Sequence, residues 1–291
     1  MKDKLILKLN GGLGNQMFQW ALARMLEETT DMDVYLDMSY FKNRYARPYE
    51  LNIFKLEPKL VEDFWTKLKL EIIWRLRAIL KWEKTLGLTL YSESSFNFDK
   101  NIQRIKADTF IEGFFQSEKY FKFVEDKLRD DFIFVKNQDD VNNKLRLDIC
   151  AKNSISLHIR RGDYVQKKRY QNVYANCSLD YYKRGVEYIA QQYPEPTLYV
   201  FSDDINWVRN NLKLPYKSIY VSNNSGAKSF EDMRLMASCK HNIIANSSFS
   251  WWGAWLNKNP DKIVIAPQKW FNDETIVQTD VIPETWIKID N

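Results

Sequence analysis

Four short clusters in this chain combine residue types that can handle phosphate and sugar hydroxyls. The first is Gly11-Gly12-Leu13-Gly14-Asn15-Gln16. Glycines let a backbone come close to a ligand, and a helix starting after such a turn offers N–H groups to an anion. The spacing is neither the G-x-G-x-x-G dinucleotide pattern nor a P-loop ending in Lys-Ser/Thr, and a plain strand-to-helix turn has the same composition. The second is His158-Ile159-Arg160-Arg161-Gly162-Asp163-Tyr164. On a strand, His158 and Arg160 share one face and Arg161 takes the other. The planar fork of Arg160 fits phosphate oxygens in pairs, and Asp163 is placed to orient an arginine or accept a proton. A surface Arg–Asp pair and a core histidine would read the same way.

The third cluster is Phe201-Ser202-Asp203-Asp204. A carboxylate at a strand end can accept from the N1–H and N2–H of guanine, or it can cap the next helix. The fourth runs Asn246-Ser247-Ser248-Phe249-Ser250-Trp251-Trp252-Gly253-Ala254-Trp255. Hydroxyls and open N–H groups at a helix start can hold phosphate, while the tryptophans read as core.

The elements that must position these clusters alternate between strand and helix. Leu5–Leu9 reads as a buried strand, followed by the glycine turn, a helix over Met17–Glu28 with apolar residues at 18, 21, 22, 25 and 26, and a strand at Val34–Leu36. Residues 109–135 carry a further strand and helix. A polar stretch at Lys136–Asn143 looks like a connection between domains, and strands follow at 154–159, 198–201, 218–221, 241–245 and 262–266. Phe230–Ser238 reads as a helix, with Ser229 and Asp232 at capping-box spacing. This alternation predicts mostly parallel α/β sheets, and two α/β halves fit 291 residues. In open α/β sheets ligands bind beyond the carboxyl ends of the strands, and all four clusters fall at such ends.

Composition narrows the classes. Lys+Arg 43 against Asp+Glu 38 leaves +5, which suits a phosphate-bearing ligand or a membrane surface. It does not call for nucleic acid, whose binders carry a concentrated basic face. Aromatics reach 15 %, compatible with sugar-facing surfaces as well as cores. Cys150, Cys177 and Cys239 are odd in number and lack metal-type spacing, and His158 and His241 are the two histidines, so neither a zinc site nor a disulfide framework is expected. Asp31-Met32-Asp33 matches the D-x-D of metal-dependent sugar transferases but reads as a solvated loop. No signal peptide or apolar run of spanning length is seen. A cytoplasmic protein is expected, with the inner face of the membrane as a further place for it.

The four motifs occur in an order that resembles the bacterial α-1,2-fucosyltransferases of glycosyltransferase family 11, over Asn10 to about Phe271. The resemblance implies a GT-B-like α/β fold: two Rossmann-type domains facing across a cleft, divided at 1–145 and 146–291, with the last segment packing back on the first domain. It implies a GDP-β-L-fucose donor, a galactoside-terminated oligosaccharide or lipid-linked glycan as acceptor, and inverting transfer to the 2-hydroxyl with no cofactor and no essential metal. Residue by residue, it implies that Arg160 binds the diphosphate, that His158 and Asp203 hold guanine, and that Gly14 and Asn15 lie on a loop that closes on the donor. Ser247, Ser248 and Phe249 would contact phosphates, and Asp163 is the candidate base. Residues 41–108 match no motif, which leaves acceptor choice to that region. A fucosyltransferase of other linkage and a non-catalytic carbohydrate-binding protein are the competing readings.

Residues 64–82 read as a basic amphipathic helix, with six Lys/Arg against two Glu between 64 and 84. Such a helix can lie on a membrane surface, or it can simply cover the first domain with lysine stems along its apolar face.

Overall fold

The strand–helix alternation is realised as two six-stranded sheets in a computed structural model that describes residues 3–76, 84–85, 87–162, 175–273 and 275–291. The sheets belong to two units, Met1–Val135 with Thr279–Val281 and Lys136–Gln278 with Ile282–Asn291.

The first unit contains β1 (Asp3–Lys8), α1 (Leu13–Thr29), β2 (Met32–Asp37), β3 (Lys59–Leu60), α2 (Phe64–Leu76), β4 (Lys84–Thr85), β5 (Leu88–Ser92), β6 (Thr109–Glu112) and α3 (Glu125–Asp131). The strand order is β3-β2-β1-β6-β5-β4, and only β4 runs antiparallel to its neighbour. Register places Ile6 opposite Tyr35 and Phe110, and Phe110 opposite Leu90. That row faces Leu70 and Ile73 of α2. Leu5 and Leu7 point the other way and are equally buried, which is why β1 reads as an unbroken apolar run. Where the chain returns through this unit, Asp280 accepts from the Phe98 N–H at 3.0 Å and from Lys119 at 2.7 Å.

Helix α1 begins four residues earlier than the sequence predicts. Gly12 is extended (φ −83°, ψ 177°), and its carbonyl accepts from the N–H groups of Asn15 and Gln16 at 2.9 and 3.0 Å. Gly14 and Asn15 are poor helix formers, but tertiary contacts override them. The Gln16 side chain donates to the Gly11 and Pro48 carbonyls and accepts from the Glu50 N–H. Asp33 likewise departs from the expected loop: it lies within β2 and pairs with Lys59 at 2.9 Å.

The second unit contains α4 (Asp140–Cys150), β7 (Ser154–Ile159), α5 (Leu179–Gln192), β8 (Thr197–Ser202), α6 (Ile205–Asn211), β9 (Ser218–Val221), α7 (Phe230–Ser238), β10 (His241–Ile243), α8 (Ser248–Leu256), β11 (Val264–Pro267) and β12 (Ile287–Ile289). Its order is β12-β11-β10-β7-β8-β9, parallel throughout. Leu198 and Val200 pack with Tyr181, Val186 and Ile189 of α5, whereas Tyr199 and Phe201 pack with Leu235 and Met236 of α7. The period-two alternation of β8 thus feeds two cores, one on each face.

The tryptophans are core, as their reading holds. Trp251 and Trp252 are fully buried; Trp251 packs on Trp252 and Trp286, and Trp252 on Trp255. Lys262 closes the end of α8 by donating to the Ala254 and Asn257 carbonyls, both at 2.8 Å.

The expected capping box at Ser229 does not form. A 3₁₀ turn over Gly226–Lys228 runs straight into α7, leaving Ser229 helical (φ −57°, ψ −25°). An N-cap needs extended backbone for its side chain to reach back. Asp232 accepts instead from Asn224 at 2.8 Å, and burial pushes its carboxyl up to about 7.

Gly253 sets the spacing of α7 and α8. A Cβ there would lie 3.0 Å from Met236 Cβ and 3.2 Å from its Sδ. Gly253→Val is expected to destabilise the protein by about 1–3 kcal/mol through overpacking, read as a lower urea midpoint with an unchanged slope.

Candidate active site

In the second unit, parallel pairing of β7 with β8 sets Ile159 opposite Ser202, so the chain leaves both strands side by side. Asp203 uses that juxtaposition. Its Oδ1 accepts from the Arg161 N–H at 2.9 Å and its Oδ2 from the Gly162 N–H at 3.1 Å. The Arg160 guanidinium lies 3.0 Å from the same Oδ2. One carboxylate therefore organises three consecutive residues. Gly162 has to be small, because a Cβ there would stand 2.6 Å from Asp203 Oδ2.

Arg161 turns away from Arg160, as strand alternation predicts. Its guanidinium stacks 3.3 Å above the Trp207 ring and lies 3.6 Å from Asp204. Asp204 also caps α6 by accepting from the Trp207 N–H at 3.3 Å. The cap reading of the acidic pair thus falls to Asp204, while Asp203 braces the arginine turn. An ionised carboxylate offers about four lone-pair sites, and Asp203 commits three of them within the protein.

His158 is only 6 % exposed. Its Nδ1 is buried with no hydrogen-bond partner among the described residues. Burial lowers its pKa to about 4, with Asp203 opposing and Arg160 reinforcing the shift. The ring lies 6.0 Å from that of Phe249. Phe249 belongs to the first turn of α8, after Ser247 in extended conformation (φ −138°, ψ 124°) and Ser248. No side chain caps this helix start among the described residues, and Ser247, Ser248 and Phe249 are partly exposed. The turn is fixed from behind by Asn246, which donates to the carbonyls of Ala175 and Trp270 and accepts from the Cys177 thiol. The structure therefore gathers His158, Arg160, Asp203 and Phe249, with Ser247 and Ser248 next in the chain. Asp163 and Tyr164 lie outside the described residues.

Gly14 and Asn15 sit in the first unit, in the first turn of α1. Asn15 accepts from the Gln116 side chain at 2.9 Å. The Leu13 N–H donates to Glu50 Oε2 at 3.2 Å, so this helix start already holds an internal anion; burial raises the pKa of Glu50. Gly11 has φ +80°, and a Cβ on it would meet the Asn15 side chain at 2.7 Å. Gln19 ties the same turn to β6, donating to the Asn10 side chain and the Gly113 carbonyl. Glu93, just beyond β5, accepts from the Phe114 and Phe115 N–H groups.

Sequence reading missed the bracing role of Asp203, the Arg161–Trp207 stack and the Glu50 contact. The glycine directly after two arginines was a legible sign of close approach. Nothing at Glu50 marks a partner 37 residues away.

With this geometry in place, comparison with known proteins gives the class. The chain matches the family model "Glycosyl transferase family 11" over residues 1–290. It is 34 % identical to an alpha-1,2-colitosyltransferase of Escherichia coli, over 98 % of this chain and 99 % of that protein. It is also 34 % identical to the O-antigen biosynthesis glycosyltransferase WbnK of Escherichia coli, over 97 % and 99 %. A galactoside alpha-(1,2)-fucosyltransferase 1 of Saimiri sciureus is 25 % identical over 50 % of this chain and 42 % of its own length. Among solved structures, an Arabidopsis thaliana FUT1 variant in complex with GDP matches with a TM-score of 0.52 at 11 % identity, over 91 % of this chain and 70 % of that one. The chain belongs to glycosyltransferase family 11, and its fold is α/β and GT-B-like.

Both histidines are held neutral by burial, with pKa values lowered to about 4. An unfolded histidine takes its proton near pH 6.5. Between those values the unfolded chain binds more protons, so stability is full above about pH 6.5 and falls as pH drops toward 4. Urea unfolding at pH 7.0 and 5.0 is expected to show this loss, and His158→Asn should make the pH dependence shallower.

Proposed function

We propose that this glycosyltransferase moves a 6-deoxyhexose from its GDP-activated form to a galactoside hydroxyl, with inversion at the anomeric carbon and no essential metal. L-fucose transfer to the 2-hydroxyl of a terminal β-galactoside is the specific form of the reading. The observation that carries it is the braced arginine: Asp203 fixes Arg160 at the carboxyl edge of the second sheet, in the same unit as the uncapped start of α8. A cation whose position is set before the ligand arrives stabilises charge without reorganising.

As the glycosidic bond breaks, negative charge grows on the departing β-phosphate. Arg160 and the N–H groups of Ser248 and Phe249 stabilise that charge more in the transition state than in the ground state, which is what accelerates the step. His158 offers its ring edge to the base, and Phe249 packs beside it. Asp203 acts by positioning Arg160, and Gly14 and Asn15 remain donor contacts on the strength of the family motif. The acceptor hydroxyl gives up its proton late, because the sugar centre is already electron-poor; a carboxylate base, with Asp163 as the candidate, would add about 10²–10⁴-fold. Galactoside-terminated glycans, free or lipid-linked, are the acceptors this reading names, and a cytoplasmic location at the inner membrane face accompanies them.

The names of the relatives make colitose the specific alternative to fucose as the donor sugar. The two sugars differ by the 3-hydroxyl that colitose lacks. A site built to bond that hydroxyl rejects the deoxy sugar strongly, whereas a site that tolerates either discriminates weakly.

The test measures GDP release from GDP-fucose and GDP-colitose, with and without lactose, in EDTA. Lactose-dependent release in EDTA is expected from at least one donor. Arg160→Ala should lower turnover by about 10²-fold or more, and Arg160→Lys should recover little, since an ammonium cannot reproduce the fork. No release with either donor, together with no GDP binding, would overturn the reading and favour a carbohydrate-binding protein.

A further inference from the structure

The carboxyl edge of the first sheet carries several carboxylates, and the fold commits most of them. Asp37, the last residue of β2, is buried and accepts from the Ser39 N–H at 3.0 Å and the Ser39 hydroxyl at 2.8 Å. Glu93 accepts from the Phe114 N–H on one oxygen and the Phe115 N–H on the other, at 2.7 and 3.0 Å. Glu112, the last residue of β6, pairs with buried Lys8 at 3.1 Å. Glu50 differs. Its Oε2 accepts from the Leu13 N–H at 3.2 Å, and its Oε1 accepts no hydrogen bond among the described residues. The residue is partly exposed.

Glu50 is also held in place. The buried side chain of Gln16 accepts from the Glu50 N–H at 2.9 Å and donates to the Gly11 and Pro48 carbonyls at 2.9 and 2.8 Å. One side chain thus fixes both the glycine turn and the backbone of Glu50. Capping the helix does not by itself account for a carboxylate at this position. Burial raises its pKa, and the opposing pull of the Leu13 N–H and Arg47 is smaller. With the folded pKa above the unfolded value, the penalty is absent in acid and full at neutral pH. A glutamine would accept from Leu13 without that penalty. A carboxylate kept although it lowers stability, with an open oxygen and a raised pKa, has the properties of a general base.

We infer that Glu50, rather than Asp163, takes the proton of the acceptor hydroxyl. The inference rests on the proposed function, in which Gly14 and Asn15, the two residues after Leu13, contact the donor. The acceptor oxygen forms its bond to the anomeric carbon. The bond from that carbon to the β-phosphate oxygen breaks, and its electron pair passes to the phosphate. The hydroxyl proton moves to Glu50 Oε1 and is released to solvent after GDP leaves.

The test compares Glu50→Gln and Asp163→Asn with the wild-type enzyme, using lactose and whichever of GDP-fucose and GDP-colitose is turned over. Glu50→Gln is expected to lower kcat by about 10²-fold or more, and Asp163→Asn to lower it less. GDP affinity should stay unchanged in Glu50→Gln, and its thermal midpoint at pH 7 should hold or rise. Glu50 acts when ionised, so wild-type kcat falls on the acid side as Glu50 takes up its proton, and Glu50→Gln loses that limb of the pH profile. Formate should restore part of the turnover of Glu50→Ala. Unchanged kcat in Glu50→Gln would overturn the inference, as would a loss confined to Asp163→Asn. A lower thermal midpoint with an unaltered pH profile would reduce Glu50 to a helix cap. Tighter GDP binding with kcat retained would make it an internal anion that the donor displaces. Each of these results leaves the functional reading standing, whereas a wild-type enzyme without transfer or GDP binding overturns that reading and this inference with it.

Discussion

The carboxylate of Asp203 is the constraint on which the rest of the second unit's polar edge depends. Its grip on Arg160, Arg161 and Gly162 exists because parallel pairing puts the ends of β7 and β8 side by side. The same grip explains the glycine at 162, the division of labour between two adjacent aspartates, and the opposite orientations of two adjacent arginines. Charge-assisted bonds of this kind are the strong ones. Here they convert a flexible arginine into a positioned one, and the backbone of the turn is fixed along with its side chain. Trp207 and Asp204 do the same for Arg161 from the next helix.

The first unit solves a related problem with different groups. Its glycine turn also follows a parallel strand and opens a helix, yet its geometry is held by neutral amides and by one carboxylate from a distant loop. Gln16 and Gln19 tie α1 to Pro48 and Gly113, Gln116 donates to Asn15 in its first turn, and Glu50 takes the Leu13 N–H. Buried amide networks of this sort specify a backbone path, because each unmade bond would cost the full desolvation of its group. A helix start that already holds an internal carboxylate differs from that of α8, whose first turn has no side-chain cap among the described residues. The two units share a strand–turn–helix grammar while their helix starts are finished differently.

Much of this was legible in the residues because strand patterning is local. Leu5-Ile6-Leu7 and Leu198-Tyr199-Val200-Phe201 announce strands covered on both faces, and motifs following such runs land at carboxyl edges by topology. The arginine turn, the serine-rich helix start and the buried tryptophans were readable for that reason. What was not legible depends on partners far away in the chain. The start of α1 was misplaced because propensity disfavours Gly14 and Asn15 while Pro48 and Glu50 favour the helix. The Ser229 cap failed because the preceding turn is already helical, and a spacing rule does not see that. The bracing role of Asp203 was not visible because the residues it holds lie more than forty positions back. The family motif pointed to candidate residues and left their internal bonds to the fold.

The two histidines show how position separates like cases. Both are buried, and both are held neutral by that burial. His241 lies in β10, and its Nδ1 accepts from the Ile263 N–H at 3.0 Å while its ring packs on Tyr193. It therefore serves the sheet. Each ring also keeps one buried nitrogen without a hydrogen-bond partner among the described residues, Nε2 in His241 and Nδ1 in His158, and His158 stands two residues before the braced arginine, beside Phe249. A buried polar atom without a partner costs about 1–3 kcal/mol. His241 bears that cost within the sheet, whereas His158 bears it at the carboxyl edge of β7, where ligands of parallel sheets bind. On the proposed function, a nucleotide base bonded to His158 would relieve the cost in the bound state alone, and the unmatched nitrogen would then add to the preference for ligand.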